Sequence, residues 1–431
     1  MRQLLEFARK NRKGLVVLGV MSGSYFFAFF HRVAVPGTIF DEIQTDLKLT
    51  AGQVALLGAI YLYIYGGMQV FVGMMADHFG GARVFLAGAV LMNIGGVVFP
   101  LSHSLWLLYA ARGLVGLGCS LIFISVVKMV DELFHEQDFA PVLGAAIFVG
   151  YAGGLVGTFP LERLVNGLGW RTALGVLSGV SVVLLAAAVV LLRGSGLFRR
   201  PADSFNLGPL KAVLTNWRAA PVMVSGAITF SLYFLIQANI GKKLLSDCFH
   251  LTSAKAAGLT FAMMLICMCG VFGAGLLTRF LGNRRRPILV CATILTLLAS
   301  MAMLIGLSAG MNDRVAQWAC LFFALSAASN IVFCAAMRDL SSDEAMGTSI
   351  GLFNGVCYVG IAALVTVAGG VMDLFRNETV ATAAAVIYPM AAYRGIFVIC
   401  VILAVISLAV SFFIHDRADH LTRVTPEEGG Q

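Results

Sequence analysis

Gly73-Met74-Met75-Ala76-Asp77-His78-Phe79-Gly80-Gly81-Ala82-Arg83 is a short polar interruption between two long apolar runs. Gly275-Leu276-Leu277-Thr278-Arg279-Phe280-Leu281-Gly282-Asn283-Arg284-Arg285 repeats its layout, with the glycines and the final arginine at the same offsets. Further echoes appear in the same order. Gly144 and Gly153 are matched by Gly351 and Gly360, and Trp170-Arg171 by Tyr393-Arg394. Ordered self-similarity of this kind marks a chain built from two equivalent halves.

The 431 residues are 59% hydrophobic and 12% charged, about half the charge of a soluble domain. The apolar runs are continuous and do not alternate, which excludes a membrane β-barrel. They predict an all-α membrane protein of twelve spans, near 14–39, 53–76, 82–100, 105–130, 140–161, 170–192, 219–241, 256–280, 287–309, 315–337, 346–371 and 392–414. The N-terminal run is too long for a signal-peptide core and reads as a retained first span. Most lysines and arginines fall in the N-terminal arm, the central linker and the loops on that same side. The net charge of +8 is therefore explained by topology, with both termini cytoplasmic, and does not imply nucleic acid. Lys242 and Lys243 read as residues of an outer loop. The segment with Gly194-Ser195-Gly196 and Arg199-Arg200-Pro201 divides six spans from six. The expected organisation is thus a six-helix half over 1–193, a cytoplasmic linker over 194–218, a second half over 219–414 and a tail over 415–431. Corresponding spans run in the same direction, so the halves are related by an axis along the membrane normal. The nine cysteines are scattered, and neither a disulfide, a metal nor another cofactor is expected.

These features resemble the major facilitator superfamily. The stretch Gly73…Asp77…Gly80…Arg83 is similar to its signature between spans 2 and 3. Arg112-Gly113-Leu114-Val115-Gly116 resembles its span-4 motif, and Gly150-Tyr151-Ala152-Gly153-Gly154 its span-5 packing motif. The resemblance implies alternating access around a site between the halves, near the membrane midplane. It also implies gating by Gly73, Asp77 and Arg83, with Asp77 bracing span 11 near Ser341-Ser342-Asp343-Glu344 when the far side is open. Arg32 followed by Pro36 looks like members that carry organic anions. Two departures from the pattern stand out: His78 replaces the signature's usual basic residue, and span 5 lacks the Gly-Pro pair of many exporters.

His31 and Arg32 fall deep in the first span, where a charge is costly unless it meets a partner or a polar cavity. Tyr25, Phe29, Arg32 and Pro36 share one helical stripe, and His31 is turned about 100° from Arg32. Tyr61, Tyr65 and Gln69 form a second stripe in span 2, suited either to lining a cavity or to bonding between helices. Arg112 in span 4 reads equally as a structural pin or a ligand contact, and Lys128 as the partner of Asp131 and Glu132. From the second half, Gln237, on one face with Tyr233, joins Asn330, Asn354 and Tyr358 as candidate contacts. The remaining aromatic and methionine residues read as packing and lipid-facing surface.

All 22 acids fall in loops, tails or span ends, so nothing deep in a span balances Arg32. The expectation is a monomeric secondary transporter of a small organic anion, a carboxylate, phosphate or sulfonate, in the inner membrane. Coupling is expected through a proton, carried by His31 or by the substrate's acid group, or by anion exchange. The alternatives are a carrier of zwitterions such as amino acids or short peptides, and a multi-pass receptor without transport. No motif of hydrolytic or phosphoryl-transfer catalysis is present.

Overall fold

A computed structural model describes residues 11–193, 198, 208–309, 313–342 and 345–415. Most of the expected linker and tail, and Asp343 and Glu344, lie outside the described residues. Among those described, twelve helices are long and apolar enough to cross a membrane. The first six are Arg12–Thr38, Ala51–Phe79, Gly81–Leu101, Leu105–Leu133, Gln137–Val156 and Trp170–Arg193. The second six are Trp217–Phe249, Ser253–Phe280, Arg286–Ala309, Arg314–Asp339, Met346–Leu374 and Met390–Ser411. They are numbered spans 1 to 12 below.

The duplication is visible in the backbone. Gly80 ends span 2 at φ +86°, and Gly282 follows span 8 at φ +64°. Both angles lie where a Cβ is disfavoured, which is why the two polar stretches keep a glycine there. Thr50 caps span 2 through the Gln53 amide, and Thr252 caps span 8 through the Lys255 amide. Lys48 and His250, just before those caps, share a left-handed turn at φ 53°. Spans 1 and 7 each carry a wide turn, at Ala34–Thr38 and Ile236–Ile240. Every one of these pairs has the 202-residue separation of Asp41 and Lys243.

The break in span 1 follows from Pro36. A residue before proline is pushed out of the helical region, and Val35 sits at φ −122°, ψ 121°. Carbonyls freed by such a break inside a membrane need other donors. Arg112 supplies them for His31 and Val35, and also reaches Leu57 of the unbroken span 2. Its guanidinium donates to the carbonyls of His31 (3.1 Å), Val35 (3.0 Å) and Leu57 (3.0 Å). In span 7 the Asn239 amide donates to the Phe234 carbonyl at 2.9 Å. The two broken turns meet, with Gly37 against the backbone of Ala238.

Spans 2 and 11 form a long seam between the halves. A Cβ on Gly66 would lie 3.0 Å from the Gly355 carbonyl oxygen, and one on Gly355 2.9 Å from that of Gly66. Small residues are what let these backbones approach.

Span 7 runs eight residues past its expected end at 241, reaching Phe249. Lys242 and Lys243 are therefore not loop residues. They are buried in the end of that helix, facing the short helix Phe40–Leu47 that follows span 1. Asp247, expected outside the helices, is buried with them.

Candidate functional site

Between the halves lies a cavity of about 340 Å³. Seven of the expected residues line it: Tyr25, Arg32, Tyr65, Gln69, Asn330, Asn354 and Tyr358. Arg32 is 6% exposed. Its Nη1 donates to the Tyr358 hydroxyl at 2.6 Å, a contact from one half to the other. Rings of Phe29, Tyr65 and Tyr358 pack around the guanidinium, with centroids 4.4, 4.6 and 4.9 Å from Cζ. Its Nε is buried without a partner. Among the described residues no carboxylate lies within ion-pair distance of Arg32. Ring faces offset part of the cost of burying a cation, on the order of 1–2 kcal/mol each. They leave its net charge in place.

Four expected residues lie off the cavity. His31 is turned away, into the first half, where its ring packs toward Gly96 of span 3. Arg112 is 1% exposed and occupied by the three carbonyls, so in this state it is a pin beside the span-1 break. Tyr61 is fully buried, 5.9 Å from Tyr65 in a stack, with Arg112 over its ring at 4.7 Å. Gln237 falls inside the wide turn of span 7, which rotates it off the face it would share with Tyr233 in a regular helix. Both of its amide atoms are buried and unpartnered.

Sequence reasoning missed most of the cavity wall. Phe123, Tyr151, Phe230, Tyr233, Phe234 and Met264 all face the cavity, not lipid. Tyr151 carries a polar tip, the one signal that could have singled it out, and Tyr233 enters the sequence reading only as sharing a face with Gln237. A wider groove of about 690 Å³ between the ends of spans 3 and 6 is a weaker candidate. Its cation, Arg171, is already bonded to Asp46 and to the carbonyls of Pro100 and Ser102.

The cavity is closed on the side away from Arg12, here the far side. Lys243 bridges Asp41 at 2.6 Å and Asp247 at 3.3 Å, and Lys242 bridges Glu42 at 3.0 Å. Asp247 also accepts from the Tyr388 amide and the Tyr393 hydroxyl. Asp373, at the end of span 11, caps the start of span 2 through the Thr50 hydroxyl and the Gly52 amide. A carboxylate at a helix N-terminus is favourable. Toward the near side the halves part. Gly154 of span 5 touches Met264 of span 8, whereas Gly275, about three turns further along the same face of span 8, has nothing within 4 Å of an added Cβ. Gly73 and Gly347, past the span 2–11 seam, are equally open.

In this state Asp77 forms an ion pair with Lys128 of span 4, which also feels the charges of the expected partners Glu132 and Asp131. Among the described residues it forms none with span 11. Arg83 is exposed and caps the Phe79 carbonyl at 3.4 Å.

Comparison with known proteins places this architecture. The family model of the Major Facilitator Superfamily matches residues 21–365. The probable sulfoacetate transporter SauU of Cupriavidus necator is 26% identical over 167 residues, covering 39% of this chain and 39% of that protein. Protein spinster homolog 1 of Rattus norvegicus is 25% identical over 292 residues, covering 61% and 54%. The chain thus aligns with about half or less of each curated relative's length. Among solved structures, a bacterial homolog of the human lysosomal transporter Spinster, inward-facing and unoccupied, superposes with a TM-score of 0.72 at 14% identity, over 93% of this chain and 97% of that one. The peptide transporter POT in complex with sulfate gives 0.70 at 14%, over 94% and 95%. At such identities the likeness bears on the fold alone. Twelve spans, the duplicated glycine turns and a model match over most of the sequence lead to one conclusion: the chain belongs to the Major Facilitator Superfamily.

Proposed function

We propose that this protein is a secondary active transporter that moves a small organic anion across the cytoplasmic membrane by alternating access. The observation that carries this reading is Arg32, a buried guanidinium on the wall of the central cavity with no acidic partner among the described residues. Burying an ion costs several kcal/mol, recovered when an opposite charge with good geometry arrives. An incoming carboxylate, sulfonate or phosphate supplies that charge, and an arginine fork suits it. A zwitterion would also need an acid for its amine, and no Asp or Glu among the described residues lines the cavity. The excess of basic residues near Arg12 and the linker supports a cytoplasmic near side. On that assignment the present state opens inward. His31 lies off the cavity, so coupling is assigned to the substrate's own acid group or to anion exchange.

Uptake into proteoliposomes tests the proposal. With a transported anion, Arg32→Gln should lower uptake at subsaturating concentration about 100-fold, the equivalent of one charge-assisted hydrogen-bonded contact of about 3 kcal/mol. Uptake of anions undiminished by that change, or a cation as the sole cargo, overturns it.

A further inference from the structure

The walls around Arg32 narrow the class of anion. We propose that the guest is a monoanion with an apolar, ring-bearing body, of the class of aryl- and arylalkyl-carboxylates, and not a compact dianion. This inference rests on the anion reading above and asks which anion fits.

The first support is charge. Arg32 is the one cation among the residues lining the cavity. The polar groups that join it there, Gln69, Asn330 and Asn354, are neutral amides. They can hydrogen-bond a substituent but cannot balance a second negative charge. A dicarboxylate or sulfocarboxylate would set its second charge against ring faces, whose quadrupole is itself negative.

The second support is the wall. Nine of the twenty-two lining residues are aromatic. The rings are held by one another before any guest arrives. Tyr25 stacks on Phe123 at 5.2 Å, Phe29 meets Tyr151 edge-on at 5.0 Å, and Tyr65 meets Tyr358 edge-on at 4.6 Å. Pre-set rings present apolar surface at little ordering cost. A volume of about 340 Å³ is at the small end for ligand pockets and suits a single ring with a short chain.

The third support is the geometry of the fork. Three rings surround the guanidinium, and Tyr358 takes Nη1. Nε is itself buried and has no hydrogen-bond partner. A guanidinium so enclosed, with one nitrogen already on Tyr358, suits one planar oxyanion group, and the rings around it extend the apolar surface beyond it.

The experiment is competition for uptake in proteoliposomes holding the full chain, with labelled 3-phenylpropionate as cargo. Unlabelled benzoate, succinate, sulfoacetate, inorganic phosphate, benzamide and benzylamine are the competitors. Saturable 3-phenylpropionate uptake is expected, with benzoate competing at least tenfold better than succinate, sulfoacetate or phosphate. A conservative pair of variants, Tyr65→Phe and Tyr65→Leu, separates ring from hydroxyl: the first should keep the preference and the second should reduce it. Preference for succinate, sulfoacetate or phosphate overturns the ring-bearing monoanion while leaving the anion reading intact. Competition by benzamide or benzylamine equal to that of benzoate overturns the anion reading itself. Absence of saturable uptake or of binding for every aryl carboxylate also overturns the inference.

Discussion

Two buried arginines, both in the first half, have opposite chemistry. Arg112 is spent on three backbone carbonyls, while Arg32 has the Tyr358 hydroxyl, three rings and a buried Nε without a partner. Hydrogen bonds from a charged donor contribute about 1.5–3 kcal/mol each, and a carbonyl left bare in a membrane costs a similar amount. Arg112→Ala should therefore destabilise the detergent-purified protein by at least about 3 kcal/mol. Arg112→Lys should recover only part, because one ammonium cannot reach three divergent carbonyls as a planar fork does. Arg32→Ala should leave the thermal midpoint unchanged or raise it, since it deletes an unbalanced buried charge. Thermal unfolding of the three variants side by side checks this, and a large loss of stability in Arg32→Ala would assign that residue a structural role. The sequence placed Arg32 deep in span 1 and Arg112 nearer the outer end of span 4 but could not divide these roles. The difference lies in carbonyls freed by Pro36, and a helical wheel does not show where broken backbone will need a donor. The same limit explains Gln237, whose stripe with Tyr233 holds only in an unbroken helix.

At the scale of helices, spans 1 and 7 each break and then continue, and their continuations form the latch on the far side. Asp41 and Lys243 occupy equivalent positions of the two halves, 202 residues apart. A bond between equivalent positions has to lie near the axis relating the halves, so this pair spans the seam that opens in the proposed alternating access. Removing one partner of a buried ion pair costs about 3–5 kcal/mol, because the other charges remain. Lys243→Met leaves Asp41 and Asp247 facing a site without their cation, and this penalty falls on the far-side-closed state. Cys334 lines the cavity and reports on access to it. With the remaining cysteines replaced by alanine, a membrane-impermeant maleimide applied from the far side should label Cys334 at least tenfold faster in Lys243→Met. The exposed Lys255→Met is the control and should change nothing. Equal rates in Lys243→Met and its parent would remove the pair from gating. Only part of the latch was legible. Helix periodicity found the spans, but two adjacent lysines at an apolar boundary look like a loop until their acids are brought against them by the other half.

At the scale of the molecule the two halves are alike in backbone and unlike in charge. Each ties a polar turn to the end of its fourth helix, the first half through Asp77 and Lys128, the second through Arg285 and Asp339 at 2.8 Å. These ion pairs lie within halves and tie nothing across the seam between them. The duplication was readable from glycines because Gly80 and Gly282 are fixed by backbone angle, which no other residue satisfies as cheaply. The state was not readable, since one sequence encodes both closures. Near-side opening rests on the divergence of spans 5 and 8 beyond the contact of Gly154 with Met264. Leu143 and Gly275 lie eleven residues, about three turns, from that contact on the same helix faces. If the halves rock, these positions approach when the near side closes. Cysteines there should not bond in the present state, because a disulfide needs Cβ atoms about 3.8 Å apart. Oxidation during turnover should trap a Leu143→Cys, Gly275→Cys disulfide, stop uptake, and raise far-side labelling of Cys334 until a reductant restores both. A disulfide that forms with transport unimpaired would show that spans 5 and 8 do not part on the transport cycle, and rocking about the Asp41–Lys243 axis would be lost with it.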